Sequence, residues 1–450
     1  MSYAAALDHL QARVAELHVA PGQPHRKFRL EEMQTLVAAL GHPEQRFRSV
    51  LIAGTNGKGS ASATLSAILL AAGYRSGLYT SPHLDRVNER VRVAGTPISD
   101  ADFARHYFRV DDCAGQLVRE GRLPGYPSFF ETLTALAFSA FAEARIDLAV
   151  LEVGMGGRLD ATNVVDPLLS VITDISLDHI EWLGHTIPEI AREKAGILRP
   201  NGVLVTLPQH PEANQTIGEV AVALNVRGVN AAEYVPAFTE AVESSNLRNR
   251  YPLTVLGEAI EVDSPLAGAH QRRNIALAIA AAVELTQHHG FRITPAQIES
   301  GIRQTRWPGR LERIAIPGKA DLLLDVAHNP AGAWALRAAL SSLDDEPPRS
   351  KVLVFGCMQD KAYEEMAQIL FPLFDLIVAT SVPSPRSAGV EELLAAAAKT
   401  GTRALAARDG RDALKIAWAE TSANDRIVVA GSVYLVGEVR PLLVPLETAP

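Results

Sequence analysis

The chain has 450 residues, 47% of them hydrophobic, and its 51 acidic residues exceed its 43 basic ones to give a formal charge of −8. This length and composition predict two or three globular domains with sizeable cores. The acidic balance excludes a broad electrostatic affinity for nucleic acid or for an anionic membrane, so any polyanion is expected to bind at a local site.

The amino terminus and the cysteines bear on where the protein acts. Residues 1–20 carry charges throughout and lack the apolar run of a secretion signal or a membrane anchor. The sequence does not reach the roughly 18 uninterrupted apolar residues that a spanning helix needs. Cys113 and Cys357 have no metal-ligand or redox spacing, so we interpret them as reduced thiols. We therefore expect a cytoplasmic protein.

Short β-branched runs recur along the chain, and each ends in a polar or glycine-rich turn before a helical pattern. Near-continuous apolar strands that alternate with helices predict mostly parallel sheets covered on both faces. Two α/β units fit this pattern better than one. The runs are RSVLIAG, IDLAVLEVG, LLSVITDIS and NGVLVTL in the first two-thirds, followed by DLLLDVAHN, KVLVFGCM, FDLIVATSV and DRIVVAGS.

The seam between the two units is predicted in QTRWPGRLERIAIPGK, where Pro-Gly pairs at 308–309 and 317–318 interrupt the periodicity. We therefore predict an N-terminal domain over 1–303 and a C-terminal domain over 309–450. The segment 252–274 lacks helical periodicity before residue 270, and we predict a small antiparallel excursion there.

A glycine-rich turn, GTNGKGS, follows the first strand run and opens a helical pattern that stops at Gly73. Its glycines let backbone N–H groups approach phosphate oxygens, and the helix N-terminus adds partial positive charge. Lys58 would neutralise β/γ oxygens and the Ser60 hydroxyl would ligate Mg²⁺. Glycine turns also occur without a nucleotide, but the lysine and serine favour an ATP loop. Its residues are Gly54, Thr55, Asn56, Gly57, Lys58, Gly59 and Ser60.

The residue spacing in this loop departs from the usual phosphate-loop pattern. The common pattern puts the hydroxyl residue directly after the lysine, whereas Gly59 separates Lys58 from Ser60 here. The extra residue indicates a different branch of phosphate-loop proteins.

Two later strand ends carry polar side chains. Glu152 ends IDLAVLEVG, and Asp178 and His179 follow LLSVITDIS. Because parallel sheets assemble ligands outside the carboxyl ends of their strands, we expect these groups beside the loop, where Glu152 and His179 join Ser60 as a candidate Mg²⁺ shell. Imidazole is a less usual ligand for this ion. The alternatives are that Glu152 caps the next turn and that His179 is an ordinary loop residue.

Lys194 lies near the end of a helix that is predicted to begin at the capping box TIPE, residues 186–189. A lysine at this position normally complements the helix dipole. The spacing alone therefore gives Lys194 no catalytic role.

The second unit repeats the pattern of polar strand ends. Asp325 and His328 end DLLLDVAHNP, Arg310 lies in the seam, and Ser432 begins a predicted helix. Arg310 has an alternative role as an ion-pair partner of Glu312. A nucleotide between the units would use these groups and would couple domain closure to catalysis.

Taken in order, the motifs resemble dihydrofolate synthase/folylpolyglutamate synthase, the folate branch of the Mur ligase superfamily. The similarity spans nearly the whole chain. The matching segments are GTNGKGS, YTSPHLDRVNERVRVAG, FFE, LEVGMGGRLDATN, DHIEWLG, REKAGI, HQRRN, WPGRLE, LDVAHNP and GSVYLVGEV.

The resemblance implies an α/β protein with a large N-terminal P-loop ATPase domain built on a mostly parallel sheet. A smaller Rossmann-like C-terminal α/β domain would follow, with ATP bound between the two. It also implies Ser60, Glu152 and His179 as magnesium ligands. Lys194 occupies the position of a carbamylated lysine, which would hold a second Mg²⁺.

The same resemblance implies further contacts with ATP and glutamate. Asn274, Arg310 and Asp325 match ATP-binding positions, and His328 and Ser432 match positions associated with the incoming glutamate. Together with Lys58 and Lys194, His328 is implied as a catalytic residue.

For the pterin, the resemblance implies Ser81, Arg86 and Phe130. An aromatic face can stack on a flat pterin, although Phe130 also lies in an apolar helical run that is typical of a core. One segment departs from the family. QDKAY, residues 359–363, has Ala362 where members often have a second aspartate, which weakens any role inferred for this loop.

The implied activity is ATP-dependent ligation of L-glutamate to dihydropteroate, to the γ-carboxylate of reduced folates, or to both, through an acyl phosphate. Nucleic acid and membranes are not expected partners, and we expect a monomer. The alternatives are a monofunctional folylpolyglutamate synthase, a cell-wall Mur-type ligase acting on a UDP-linked sugar, and a nucleotide-dependent switch. The TSPHL and GGRLDATN segments favour folate, and the second α/β unit argues against a switch.

Overall fold

The computed structural model describes residues 2–13, 29–237, 247–343 and 350–444. Strands alternate with helices along most of this length. The N-terminal elements are α1 (Tyr3–Arg13), α2 (Leu30–Ala39), β1 (Arg48–Ala53), α3 (Lys58–Ala71), β2 (Ser76–Tyr79), β3 (Val91–Val93), β4 (Thr96–Pro97), α4 (Asp100–Arg119), α5 (Phe129–Ala144), β5 (Leu148–Glu152), β6 (Leu169–Ile172), α6 (Ile180–Leu183), α7 (Ile187–Ala195), β7 (Val203–Thr206), α8 (Pro211–Ala223), β8 (Arg227–Asn230), β9 (Asn249–Val255), β10 (Glu258–Ser264), α9 (Ala269–His288) and α10 (Pro295–Gln304).

The C-terminal part is shorter and follows the same alternation. Its elements are β11 (Glu312–Ile314), β12 (Asp321–Leu324), α11 (Pro330–Ser341), β13 (Lys351–Phe355), α12 (Tyr363–Leu370), β14 (Leu376–Thr380), α13 (Val390–Thr400), β15 (Ala404–Ala407), α14 (Gly410–Ala419), β16 (Arg426–Ala430) and α15 (Val433–Val439).

The N-terminal domain is built on an 8-stranded sheet in the order β4-β3-β2-β5-β1-β6-β7-β8. The strands from β2 to β8 in this order pair in parallel, and β3 and β4 add an antiparallel edge. The phosphate-loop strand β1 therefore lies between β5 and β6. This order places the carboxyl ends of the three strands side by side, as the sequence predicts.

Both faces of this sheet are buried, because successive side chains of a strand point to opposite sides. Leu51 and Ala53 pack into one apolar core, while Val50 and Ile52 pack into the core on the other face. Helices α3, α9 and α10 pack together over the second face. The continuous apolar runs in the sequence correspond to these doubly covered strands.

The C-terminal domain carries a 6-stranded sheet in the order β11-β12-β16-β13-β14-β15. Its strands are parallel apart from β11, which pairs antiparallel with β12 at the edge. Leu353 and Phe355 face one core, and Val352 and Val354 face the other. The predicted fold class, a large α/β ATPase domain followed by a smaller Rossmann-like α/β domain, is confirmed.

Along the chain, β9 and β10 lie between the strands of the two sheets and form a separate antiparallel pair, which confirms the predicted excursion before residue 270. The linker follows α10 and leads into β11. The domain bounds 1–303 and 309–450 stay a prediction. Within the described ranges, no helix is long and apolar enough to cross a membrane.

Candidate active site

The phosphate loop joins β1 to α3 and is fixed by the segment that follows β6. The backbone N–H groups of Thr55 and Asn56 donate to the Asp174 carbonyl over 2.9 and 3.3 Å. The Thr55 hydroxyl donates to the Ser176 carbonyl over 3.1 Å and accepts from the Ser176 N–H. Ser60 is buried in the first turn of α3. The loop is therefore held by its neighbouring strand end, with the N-terminus of α3 behind it.

Two glycines of the loop make room for side chains from elsewhere in the chain. Gly57 has φ +92°, and a Cβ on it would lie 2.2 Å from Oδ1 of Asn274. A Cβ on Gly59 would lie 2.8 Å from Cζ2 of Trp307 in the linker. The residue inserted between Lys58 and Ser60 is thus a glycine because the linker indole packs directly on it.

Two lysines converge on one carbonyl of the loop. Lys58 Nζ donates to the Gly54 and Thr55 carbonyls over 3.1 and 3.2 Å. Lys194, 4% exposed, donates from Nζ to the same Gly54 carbonyl over 2.7 Å. Burial, and then the charge of Lys58, lower the pKa of Lys194 to about 7. Lys194 therefore points into the loop, rather than capping the carbonyls of its own helix.

Glu152 ends β5 beside the loop, since Ile52 of β1 pairs with it. Its side chain is buried, and Oε2 accepts from the Ser81 N–H over 3.2 Å. Burial raises the pKa of Glu152, while the charge of Lys58 and the Ser81 hydrogen bond oppose that shift. The carboxylate faces the loop lysine and does not cap the turn that follows it.

His179 and Asp178 follow β6 on the other side of the loop. His179 adopts φ +51° and is half-buried. Burial lowers the pKa of His179 to about 4, and the Asp178 carboxylate opposes the shift. Burial also opposes ionisation of Asp178, but its contacts with His328 and Lys361 outweigh this and bring its pKa below the usual range.

The predicted magnesium ligands therefore come from adjacent strand ends: Ser60 after β1, Glu152 on β5 and His179 after β6. The charge of Lys58 acts on Glu152, His179 and Lys194 alike, which brings all of them around the loop lysine. Among the described residues, no group of three or more His, Cys, Asp or Glu side chains is placed to hold a metal ion. The candidate set instead combines one carboxylate, one imidazole, one hydroxyl and one lysine.

The ATP-contacting candidates of the linker and C-terminal domain lie near the N-terminal residues around the phosphate loop. Asp325 is buried, and its carboxylate accepts from the Leu311 and Ala327 N–H groups over 3.0 and 2.8 Å. Burial lowers the pKa of Arg310, while the charges of Asp325 and Glu152 oppose the shift. Arg310 thus lies within electrostatic reach of a carboxylate from each domain.

The alternative partner for Arg310, Glu312, is engaged elsewhere. The Glu312 carboxylate accepts from Nε and Nη2 of Arg440 at 2.9 Å, and from the Gly309 N–H at 2.8 Å. Nε of Arg310 is buried and has no hydrogen-bond partner within the described part of the chain. Its placement agrees better with a binding role than with a structural ion pair.

The glutamate candidates lie at two strand ends of the C-terminal sheet. His328 is bonded through Nδ1 to the Val326 carbonyl at 3.0 Å, so its Nε2 faces Asp178, 3.7 Å from Oδ2. Ser432 follows β16 and caps α15, where its hydroxyl accepts from the Tyr434 N–H over 3.1 Å. Ser432 is buried, and its hydroxyl is held by its own helix.

The pterin candidates are only partly brought together. Ser81 is bonded to Glu152. The Phe130 ring lies against Gly154, where a Cβ would be 2.5 Å from Cζ, and its centroid is 5.8 Å from that of Tyr79. Arg86 is exposed and binds Asp100 over 2.7 Å, so the structure gives it a surface carboxylate as its partner.

The two domains are joined at the phosphate loop by residues that the sequence does not single out. Asn329 donates from Nδ2 to Asn56 Oδ1 and to Asp178 Oδ2, both over 3.1 Å, and accepts through Oδ1 from the Gly332 N–H at 2.8 Å. Lys361 Nζ lies 2.5 Å from Asp178 Oδ1. The Asn-Pro pair at 329–330 is a helix-start signal that would have drawn attention to Asn329.

Family models match both halves of the chain. The Mur ligase middle domain matches residues 124–282, and the Mur ligase glutamate ligase domain matches residues 309–433. The second match begins at the linker glycine and ends in the first turn of α15. The candidate residues from Glu152 to Asn274 fall within the first match and those from Arg310 to Ser432 within the second, whereas the phosphate loop, residues 54–60, precedes both.

Individual relatives agree over almost the whole length. The dihydrofolate synthase/folylpolyglutamate synthase of Bacillus subtilis (strain 168) is 34% identical over 417 residues, which cover 92% of this chain and 94% of the relative. The crystal structure of Mycobacterium tuberculosis folylpolyglutamate synthase with ADP and AMPPCP matches with a TM-score of 0.85 and 34% identity, covering 100% of each chain.

The structure of E. coli FolC with DHPP and ADP matches with a TM-score of 0.81 and 29% identity over 98% of this chain and 97% of that one. Fold, motif order and full-length similarity all agree. The chain belongs to the dihydrofolate synthase/folylpolyglutamate synthase family, the folate branch of the Mur ligases, which are ATP-dependent ligases.

Proposed function

We propose that this enzyme uses ATP to ligate L-glutamate to dihydropteroate and to the γ-carboxylate of reduced folates. The observation that carries the proposal is the meeting of the two domains at the phosphate loop, where Asn56 pairs with Asn329. A site assembled from both domains suits a reaction that joins three substrates. Membership in the family and the ADP and DHPP in the E. coli FolC structure support the substrate assignment.

ATP would bind across the loop and the linker. The backbone N–H groups of residues 54–60 would cradle its phosphates, and Lys58 would leave the loop carbonyls to neutralise them. Arg310 would act on the same charge from the linker. Asn274, which lies against Gly57, and Asp325, which fixes the backbone beside Arg310, would complete the site.

The residues around Lys58 also fit Mg²⁺. Ser60 and the carboxylate of Glu152 offer the oxygen ligands that this hard ion prefers, and His179 would complete the set. When bound, Mg²⁺ would neutralise charge on the phosphates of ATP. A second ion requires a carboxylate at Lys194, which its amine alone does not provide.

Carbamylation would supply that carboxylate. With a pKa of about 7, a large share of Lys194 is the free amine near neutral pH. The amine nitrogen can add to the carbon of CO₂, forming an N–C bond and releasing one proton. The product is an anionic carbamate beside Lys58, and its charge would relieve the repulsion between the two lysines.

The reaction itself needs positioned charge more than covalent help from the protein. A carboxylate oxygen of the acceptor would attack the γ-phosphorus of ATP, and the bond to ADP would break. The glutamate nitrogen would then attack the acyl carbon and lose a proton, while the C–O bond breaks and phosphate leaves. Domain closure would exclude the water that hydrolyses this intermediate.

The two remaining substrates would lie on either side of the phosphates. His328, whose ring is oriented by the Val326 carbonyl, would contact the incoming glutamate through Nε2, with Ser432 nearby. The pterin would lie near Ser81 and Phe130, with Arg86 at the outer edge. The spacing of the cysteines supports action in the cytoplasm, and we propose a monomer.

A panel of acceptors tests the assignment. The purified protein is incubated with ATP, Mg²⁺ and L-glutamate together with dihydropteroate, tetrahydrofolate or a UDP-sugar peptide, and products are identified by mass spectrometry. We expect glutamylated products from the first two acceptors. Product from tetrahydrofolate alone would indicate a monofunctional folylpolyglutamate synthase, and product from the UDP-sugar peptide alone would overturn the proposal.

A further inference from the structure

One carboxylate of the N-terminal domain accepts from the His179 N–H of its own domain over 2.9 Å and contacts three groups of the C-terminal domain. Asp178 follows β6, and its side chain is only 8% exposed. Lys361, 10% exposed, lies in the loop between β13 and α12 and places Nζ 2.5 Å from Asp178 Oδ1. These residues are 183 positions apart, so their contact depends on how the domains are arranged.

The other oxygen of Asp178 is bound by the same domain. Oδ2 accepts from Asn329 Nδ2 over 3.1 Å, and His328 Nε2 lies 3.7 Å away. Asn329 is the residue that caps α11 and pairs with Asn56 of the phosphate loop. The contacts therefore run from Lys361 through Asp178 and Asn329 to the loop.

Because this ion pair is buried, the loss of either partner has a large energetic effect. A buried ion pair adds little net stability compared with an apolar contact, but removing one partner leaves an unpaired charge out of water. Opening the domains would separate Lys361 from Asp178 and let each be hydrated. A change to either residue therefore acts on the balance between open and closed arrangements.

The loop that carries Lys361 is the one in which Ala362 departs from the family pattern. The adjacent Asp360 has its own partner, Arg386 Nη1, at 3.9 Å. The carboxylate bound to Lys361 is therefore supplied by the other domain. The loop therefore contacts the N-terminal domain through Lys361, although it lacks the second aspartate.

We infer that the Lys361–Asp178 ion pair is a latch that holds the C-terminal domain closed over the phosphate loop. The two are positioning residues, since they act through Asn329 and His328. Formation of the latch would bring His328 to the site where glutamate reacts. This role in catalysis rests on the proposed function, whereas closure can be measured without any substrate.

Small-angle scattering of the full chain tests closure directly. We expect Lys361→Gln and Asp178→Asn to enlarge the radius of gyration relative to the unaltered protein. The radius of gyration of Lys361→Arg, which keeps the cation, should stay closer to that of the unaltered protein. Lys399→Gln is the matched control, because Lys399 binds Glu364 over 2.8 Å within the C-terminal domain with both side chains exposed. Unchanged scattering of Lys361→Gln and Asp178→Asn would overturn the latch, whatever their activity.

Steady-state kinetics then tests its consequence. Lys361→Gln should lower kcat for ligation by about 30-fold or more, the lower end of the range expected when a buried charge loses its partner. Hydrolysis of ATP without glutamate ligation should rise relative to ligation, because an open site admits water. Lys399→Gln should match the unaltered protein. Wild-type kcat in an opened Lys361→Gln variant would overturn the role of the latch in catalysis, and an unaltered protein that ligates no glutamate would instead refute the proposed function.

Discussion

The Gly54 carbonyl receives hydrogen bonds from both Lys58 and Lys194. Two ammonium groups on one neutral oxygen repel each other, and burial favours the neutral form of the more enclosed one, Lys194. Lys58 and Lys194 are therefore expected to have different chemical roles. Lys58 is half-buried and can move to phosphate, whereas Lys194 is held in place as an amine close to its neutral state.

Replacing Lys58 tests the first of these roles. Lys58→Ala should lower the rate of ADP formation about 10²- to 10³-fold, the usual effect of removing one group that stabilises transferring charge. Among the described residues, the side chain bonds only loop carbonyls, so the fold should persist. Normal turnover in this variant, with its circular dichroism unchanged, would refute the role of Lys58.

The pKa of Lys194 gives a prediction about bicarbonate. Burial lowers this pKa to about 7, so the ammonium form dominates below that pH and the reactive free amine above it. Added bicarbonate should therefore raise ligation activity more at a pH above 7 than below it. The comparison is an initial-rate measurement with and without bicarbonate on both sides of the pKa.

Lys194→Ala is the control for this effect. The variant should have low activity and gain nothing from bicarbonate at either pH. Undiminished activity, or an equal gain from bicarbonate, would remove the carbamate from the mechanism.

At the scale of elements, the sequence predicts those strands whose side chains are apolar on both faces. The runs around β1, β5, β6 and β13 were recognisable because burial on both sides requires them to be continuously hydrophobic. β8 reads RGVN and β15 reads ALAA, and neither has the β-branched content that predicts a strand. Both lie at sheet edges, where pairing with one neighbour determines the structure.

The contact between the phosphate loop and the linker gives a prediction at this scale. Gly59→Ala would place a methyl group 2.8 Å from a ring carbon of Trp307, and an aromatic ring cannot bend to accommodate it. We expect a loss of about 1–3 kcal/mol in the free energy of unfolding, measured by denaturant titration. Trp307→Ala combined with Gly59→Ala should lose less than the sum of the single changes.

Gly218→Ala is the matched control, since Gly218 lies inside α8 with no atom of the described residues within 4 Å of the added carbon. It should stabilise the protein by about 0.5–1 kcal/mol through helix propensity. If Gly59→Ala behaves like Gly218→Ala, the indole does not constrain the loop.

At the scale of the whole molecule, the site combines groups that no local pattern could connect. Strand-end reasoning placed Glu152 and His179 beside the loop because neighbouring parallel strands end at one edge. Trp307 on Gly59 and Lys361 on Asp178 depend on tertiary packing and domain arrangement, for which the sequence offers no period or spacing. The same strand-end reasoning predicted His179 as a ligand, which the family resemblance strengthened, whereas the predicted ligand role of Lys194 came from the resemblance alone.

Nucleotide binding should stabilise both domains together if ATP lies between them. AMPPCP with Mg²⁺ at about 100 times its Kd should add about 2.7 kcal/mol to the free energy of unfolding and raise the thermal midpoint. Removing Mg²⁺ with a chelator should reduce this shift. Scanning calorimetry measures it, with Mg²⁺ alone as the control.

The matched variant for this measurement is Lys58→Ala, which should lose most of the shift. An equal shift in that variant, or none in the unaltered protein, would contradict nucleotide binding at the phosphate loop.

Nε of Arg310 has no hydrogen-bond partner among the residues that the structure describes, which has a practical consequence for how the enzyme is handled. A desolvated guanidinium donor is a good receptor for any small oxyanion, so inorganic phosphate and sulfate will compete for it. If Arg310 binds the phosphates of ATP as proposed, assays buffered with phosphate will understate the affinity for nucleotide, and a zwitterionic buffer will reveal it. Because phosphate is also released in every turnover, the enzyme will slow itself as product accumulates.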